Sequence, residues 1–271
     1  MMRMLAALVG RSLRRSWIGL TGVVVVLSAC QVAAVLIASS LERNRSFAQL
    51  AAIVPALVGE AVGGTVQMVA SFGGMVGFGF FHPVVIFALV QGAVYLASEP
   101  ADEVERGLVD LVAARPLPRH LMVTRTLVAT TAAVALTVAA MIATSVVAVR
   151  LLAPEGARPL GFSMTALLAG HLSAIALCFA AASLLIAAYV HRRSAPVGAV
   201  GLLAVFLFFV DFAASAWPTL SPIAPFTPFY YYDGMAVLLG TSNPSRDLSV
   251  LLASAALLVV WAYVVYGRRD L

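Results

Sequence analysis

Six long apolar stretches dominate the chain, and each is long enough to cross a lipid bilayer. They cover residues 17–39, 75–97, 121–149, 161–190, 195–216 and 248–266. A membrane-spanning helix needs about 20 mostly apolar residues. Only 11% of the 271 residues are charged, too few to give a soluble domain of this size its polar surface. The predicted fold class is therefore all-α, a polytopic membrane protein with six transmembrane helices in one domain.

The region 50–98 is too long for one helix and short for two with a loop, and its second half, 75–97, is the better span. Its first half contains Glu60 and the pair Gly59-x-x-x-Gly63, and a second pair, Gly73-x-x-x-Gly77, follows. We interpret 50–72 as a re-entrant or surface-lying segment, which is tolerated only where protein covers the backbone. Glycines four residues apart allow helices to approach closely, so these pairs are candidates for a dimer interface or a flexible re-entrant turn.

The distribution of arginines predicts the orientation. With six spans, one side of the membrane carries twelve of the 17 basic residues and the other side carries five. The positive-inside rule places the richer side, with both termini, in the cytoplasm. The arginine-rich, lysine-free composition is typical of a bacterial genome, so we expect the bacterial inner membrane.

The segment 1–16 precedes the first span. At helical spacing, Arg3, Arg11, Arg14 and Arg15 fall on one side, and Met1, Leu5, Leu8, Val9 and Leu13 gather on the other. This pattern predicts an amphipathic helix lying in the membrane interface, with its arginines toward anionic lipid headgroups.

The chain contains no lysine at all. A phosphate-binding loop of the G-x-x-x-x-G-K-[ST] type needs its lysine, so this chain is not expected to bind ATP in that way. Schiff-base chemistry with retinal or pyridoxal phosphate is excluded for the same reason. Because the chain lacks a nucleotide-binding motif, we expect no ATPase activity in the chain itself; we also expect no cofactor and no nucleic-acid partner.

The segment 99–119, between the second and third spans, is the most structured loop of the sequence. Pro100 and three acids near its start suit a helix N-terminus, and Val104, Leu108, Leu111 and Val112 form a stripe at helical spacing. Pro116 disfavours helix at the residue before it. The pattern predicts a short amphipathic helix on the cytoplasmic face, flanked by two spans.

Three motifs resemble those of the permease subunits of type-2 ABC exporters. Residues 105–119 read E-R-G-L-V-D-L-V-A-A-R-P-L-P-R, similar to the family segment E-R-G-T-L-E-L-L-L-A-R-P-x-S-R. Residues 220–222 with 228–233 resemble the family's L-S-P-F-x-Y segment, although with an inserted stretch. The ending, 266–271, resembles F-x-R-R-D-L. The chain departs from the first motif at Leu108, Asp110 and Pro118.

The resemblance implies a permease subunit that exports a hydrophobic or amphipathic substrate. It also implies a second permease subunit, identical or related, and two copies of a separate nucleotide-binding ATPase that hold ATP and Mg. The segment 99–119 would then be the coupling helix that docks this ATPase. The docking residues that the resemblance implies are Glu103, Glu105, Arg106, Gly107, Asp110, Arg115, Pro116 and Arg119.

Four polar residues within or near the spans are candidates for a translocation path: Glu60, His82, His171 and Asp211. Ionisable groups within a membrane are functional hypotheses by default. Each also has a structural interpretation: Glu60 as a residue facing water or the bundle interior, His82-Pro83 as a helix kink, His171 as a helix-packing contact, and Asp211 as a residue that reaches the interface, caps a helix or pairs with an arginine. Their spacing does not indicate a metal site.

The residues 217–232, rich in proline and aromatics, are expected at the outer membrane interface, with a lid over the path as the alternative.

Two other functions remain as alternatives. An intramembrane enzyme would use the same polar groups, but the sequence has no G-x-S-x-G, H-E-x-x-H or paired acidic motif. A secondary transporter of the inverted-repeat kind would show similar loops in its two halves. The loops at 99–125 and 191–194 differ strongly in length, so the permease interpretation is preferred.

Overall fold

The computed structural model of the protein describes residues 2–44, 46, 71–107 and 120–268. Its helices are α1 (Met2–Arg15), α2 (Trp17–Arg43), α3 (Phe72–Phe81), α4 (Pro83–Ala97), α5 (Glu99–Glu105), α6 (His120–Leu152), α7 (Phe162–Ala187), α8 (Ser194–Ala216), α9 (Gly234–Leu239) and α10 (Pro244–Arg268). Two short 3-10 helices, Ser221–Phe226 and Pro228–Tyr231, lie between α8 and α9. The described residues contain no β-strand.

Six helical stretches are long and apolar enough to cross a membrane: α2, α3 with α4, α6, α7, α8 and α10. The prediction of an all-α, multi-pass membrane protein is therefore confirmed at this level. The residues 50–70, with Glu60 and the Gly59–Gly63 pair, and the docking candidates Asp110, Arg115, Pro116 and Arg119 lie outside the described residues, as do 269–271.

The second span is broken at His82. His82 has an extended ψ of 132° and its Nδ1 accepts a hydrogen bond from the backbone N–H of Val84, so it caps α4, with Pro83 in the first turn. Proline lacks a backbone N–H and suits this first helical position. The predicted kink at this dipeptide is therefore present, as a break between α3 and α4.

Helix α7 lies at the centre of the bundle. It contacts α4, α6, α8 and α10, and its span is the most buried of the six, whereas α2, α8 and α10 are mostly exposed on the outside. Buried side-chain hydrogen bonds join neighbouring helices, from Ser183 Oγ to the Val94 carbonyl (2.9 Å) and from Gln31 Nε2 to the Gly79 carbonyl (2.8 Å). Such bonds hold helices together where lipid weakens the hydrophobic driving force.

The Gly73–Gly77 pair serves packing within the chain. A Cβ at Gly77 would lie 2.8 Å from the Leu160 side chain, and one at Gly73 would lie 3.1 Å from the Arg158 carbonyl oxygen. The glycines thus let α3 approach the loop between α6 and α7. The expected roles at a dimer interface or in a flexible turn do not fit, because this face of α3 is already covered.

The aromatic stretch 217–232 divides into exposed and buried parts. We call this stretch the re-entrant segment; it is separate from the segment 50–72 discussed above. Trp217 and Phe226 are exposed, as expected for side chains at a membrane interface. Phe229 and Tyr232 are buried, and the Tyr232 hydroxyl donates to the Phe80 carbonyl at 3.1 Å. The stretch is therefore not a simple interfacial belt, because its second half turns back between the helices.

Candidate functional site

A cluster of charged residues lies at the end of the bundle where α2 begins and α4 ends. We call it the charge cluster, and it consists of Glu99, Asp102, Glu103, Arg15, Arg106, Arg125 and Arg193. Its three acids all lie on α5, which follows α4 after Ser98. Helix α5 begins with a proline in its first turn and acids at its N-terminal end, where the helix dipole favours negative charge.

Arg125 of α6 binds two of these acids. Its guanidinium lies 2.9 Å from Glu103 Oε2 and 3.7 Å from Glu99 Oε2, and all three side chains are less than a tenth exposed. Burial raises the pKa of Glu99 above its ordinary value of 4.5, although the positive charge of Arg125 opposes this effect. A buried charge that loses its partner is strongly destabilising, so this half of the charge cluster fixes α5 on α6.

Asp102 forms the other half of the charge cluster. One of its carboxylate oxygens lies 2.6 Å from Arg15 and 3.5 Å from Arg193, and the other oxygen accepts from Arg106 Nε at 3.0 Å. One buried carboxylate thus joins the end of α1, the end of α5 and the residue before α8. Arg15 is expected to face lipid headgroups, but its guanidinium turns inward because Asp102 offers a buried countercharge.

Arg193 contacts both the end of α4 and α5. Its guanidinium donates to the Tyr95 carbonyl at 2.8 Å and to Ser98 Oγ at 3.2 Å, and it lies 3.6 Å above the Tyr95 ring. Its backbone N–H donates to Glu105 Oε2 at 2.9 Å. A planar guanidinium can combine such fork-like hydrogen bonds with stacking on an aromatic ring. The start of α8 is therefore attached to both α4 and α5.

The predicted helix of 99–119 differs from the structure in two ways. Helix α5 ends at Glu105, and Gly107 adopts a left-handed φ of 66°, which glycine permits without strain. The helix that holds Val104 therefore ends before the rest of the predicted stripe, and Leu108, Leu111 and Val112 lie outside the described residues. Glu103 does not fit the implied docking surface, because it is buried against Arg125. Of the docking candidates within the described residues, Glu105, Arg106 and Gly107 are exposed.

Three of the four candidates for a translocation path lie in the described residues, and each of them contacts a different partner. His82 caps α4, and Asp211 of α8 accepts a hydrogen bond from Thr227 Oγ1 at 2.9 Å. His171 is fully buried in α7, where its Nδ1 lies 2.9 Å from the Leu167 carbonyl oxygen and its Nε2 has no hydrogen-bond partner among the described residues. The described parts of the chain hold no group of three His, Cys, Asp or Glu side chains suited to a metal ion.

Sequence reasoning identifies α5 but not the residues that hold it. Arg15, Arg125 and Arg193 are separated by up to 178 positions, and each belongs to an arginine-rich segment at the end of a span. The available signal is the excess of acids at 99–105 on a side with many arginines, which predicts pairing without specifying partners.

No protein-family model matches the chain, and no curated protein is significantly similar to it.

Proposed function

We propose that this chain is the membrane-spanning permease subunit of an ATP-driven ABC exporter. A separate nucleotide-binding ATPase, which carries ATP and Mg, docks on the segment that begins with α5. Two such ATPases serve a pair of permease subunits, and the exported substrate is hydrophobic or amphipathic. The charge cluster and both termini lie on the cytoplasmic side, in agreement with the distribution of arginines.

The attachment of α5 is the observation that carries the proposal. This helix lies between the second and third spans, and ion pairs connect it to α1, α6 and the start of α8. Its C-terminal end presents Glu105, Arg106 and Gly107 to solvent. A short helix held in this way transmits a push to several spans at once, as rigid-body switching requires.

The absence of lysine is consistent with this division of labour. The chain has no residue for the lysine position of a phosphate-binding loop, so the ATP chemistry belongs to the partner. In this mechanism, closure of the ATPase pair moves α5, and the charge cluster transfers the displacement to α6 and α8. The resemblance of 105–119 to the coupling segment of type-2 exporters supports the same assignment.

Affinity purification in mild detergent tests the proposal. The wild-type chain, taken from its native host, should bring a stoichiometric ATPase with Walker motifs, identified by mass spectrometry. The double variant Glu105→Ala/Arg106→Ala should lose the ATPase, because it removes the exposed charges at the end of α5. Circular dichroism and gel filtration check that the variant is folded.

A double variant at the opposite end of the bundle gives the matched control. Glu155→Ala/Arg158→Ala also removes one exposed acid and one exposed arginine, and it should retain the ATPase. Recovery of the wild-type chain without an ATPase contradicts the proposal, and so does retention of the ATPase by the α5 variant. An intramembrane enzyme or a secondary transporter would keep its activity in the α5 variant.

A further inference from the structure

An apolar groove of about 500 Å³ lies between α2 and α4, with α6 as its floor. This volume is in the range of small-molecule sites, about 300–1,000 Å³. Gly19 and Gly22 of α2 line the groove, and a Cβ at either position would have no neighbour within 4 Å. The space beside both glycines is therefore open, and a larger side chain at either position would extend into it.

The groove begins at the charge cluster and ends partway along the bundle. On α2 its lining runs from Ser16, directly after Arg15, to Val26. At 1.5 Å per residue this distance is about 15 Å, half of a hydrocarbon core about 30 Å thick. The groove thus has the length of one membrane leaflet, which is the depth that a single acyl chain occupies.

The charge cluster beside the mouth of the groove pairs its arginines with carboxylates, so the excess positive charge in this region comes from α1, within one helical turn of Arg15. Tyr95 lines the groove, and the guanidinium of Arg193 is stacked on its ring. Arg15, Arg106 and Arg193 share the single carboxylate of Asp102. Two further arginines of α1, Arg11 and Arg14, are exposed and make no ion pair with any described residue.

From this combination we propose that the groove binds an anionic phospholipid. One acyl chain lies between α2 and α4. The phosphate lies at the mouth of the groove, near Arg11, Arg14 and Arg15 of α1. The ligand thus matches both properties of the site, because an acyl chain suits the apolar lining and a phosphate suits arginine. This site is independent of ATPase docking.

A second copy of the chain fits the mouth less well. Two copies in one membrane have the same orientation, so the partner would present the same end of its bundle. At that end the described carboxylates are Glu99, Asp102, Glu103 and Glu105, and each already binds an arginine or a backbone N–H. Among these described carboxylates only Glu105 is exposed, and it accepts from the Arg193 backbone N–H. The partner therefore offers at most one carboxylate to Arg11 and Arg14, whereas a phospholipid brings its own phosphate.

The first test uses a phosphatidylglycerol that carries a photoreactive diazirine in its acyl chain. The full chain is reconstituted in nanodiscs, irradiated and digested, and the labelled peptides are mapped by mass spectrometry. Labels should concentrate on 17–26 and 88–96. Gly22→Leu should reduce labelling of these peptides about tenfold, because the leucine side chain takes the space of about two acyl methylene groups, and losing their burial lowers the affinity by about that factor. Gly198→Leu, at an equally open glycine on exposed α8, should not reduce it.

The second test addresses the headgroup. Phosphatidylcholine with the same chains should compete less well than phosphatidylglycerol, and Arg11→Ala/Arg14→Ala should reduce this preference by about fivefold for each arginine removed. Equal labelling of the wild type and Gly22→Leu overturns the proposal, as does equal competition by the two lipids. Efficient disulfide formation between copies through Val26→Cys, in a background without Cys30 and Cys178, also overturns it, because a second copy then covers the groove.

Discussion

The two ends of the bundle are closed by different kinds of interaction. At one end, the charge cluster joins α1, α5, α6 and the start of α8 through buried ion pairs. At the other end, the re-entrant segment fills the space between helices with aromatic rings. Phe229 lies between Phe87, Phe179 and Phe208, with ring centroids 5.5 to 6.3 Å apart.

This difference separates a part of the bundle held by charge from a part held by packing. Ion pairs are directional, and a buried pair that is broken leaves an uncompensated charge, so the charge cluster resists partial displacement. Aromatic packing depends on area and shape, so the re-entrant segment can shift without leaving a charge behind. In the exporter that we propose, the first property would suit the side where the ATPase docks, and the second would suit the side where the substrate leaves.

Loss of Arg125 should have the largest effect on stability. Arg125→Ala leaves Glu99 and Glu103 buried without their arginine, which should reduce the free energy of unfolding by about 3–5 kcal/mol. Equilibrium unfolding in mixed micelles of rising SDS content measures this change. Arg150→Ala removes an exposed arginine at the far end of the same helix and should change stability by less than about 0.5 kcal/mol. Similar effects of the two variants would contradict the assigned role.

Truncation of Phe229 tests the opposite end. The side chain is 3% exposed, and Phe229→Ala should destabilise the protein by about 3 kcal/mol, the lower end of the range for buried aromatic residues, since the re-entrant segment can move into the gap. The neighbouring Phe226 is 84% exposed, so Phe226→Ala is the matched control and should cost far less. Equal costs for both variants would show that the ring cluster does not fix the segment.

The sequence predicts the spans well because each span is set by local composition. The observed helices α2, α6, α7, α8 and α10 begin within about four residues of the predicted spans. Burial of the Phe229 ring is not predicted, because an aromatic side chain near a span end is equally suited to the membrane interface. The partners of Arg15 and Arg193 depend on how distant segments meet, which hydropathy does not encode. The break at His82 is predictable because Pro83 acts locally.

A smaller effect is expected from the bond that anchors the re-entrant segment to α8. Thr227 is 2% exposed; its hydroxyl donates to Asp211 and accepts from the Tyr230 N–H. Thr227→Val should cost about 2 kcal/mol, the range for a hydrogen bond to a charged group, and Thr227→Ser should restore most of it. A double-mutant cycle with Asp211→Ala isolates the pairwise energy. Additive effects in this cycle would show that the two side chains are not coupled.

The smallest effect is the contribution of Glu99 to the pH dependence of stability. Its direction, a loss or a gain of stability with rising pH, distinguishes the charge cluster from an ordinary set of surface ion pairs. Because burial raises the pKa of Glu99 above 4.5 in the folded protein, the folded state holds this proton more tightly than the unfolded state. Ionisation of Glu99 should therefore lower the free energy of unfolding as the pH rises from about 4.5 through the raised pKa.

Glu99→Gln removes this titration while keeping the shape of the side chain. Relative to the variant, the wild type should lose stability as the pH rises through this range, with a slope difference below about 1.4 kcal/mol per pH unit, the limit for one proton. SDS unfolding between pH 4 and about 8 measures both curves, and Glu155→Gln, at an exposed glutamate, should follow the wild type. If the wild type instead gains stability over the Gln variant with rising pH, attraction to Arg125 outweighs burial, and Glu99 is a stabilising ion-pair partner like Glu103.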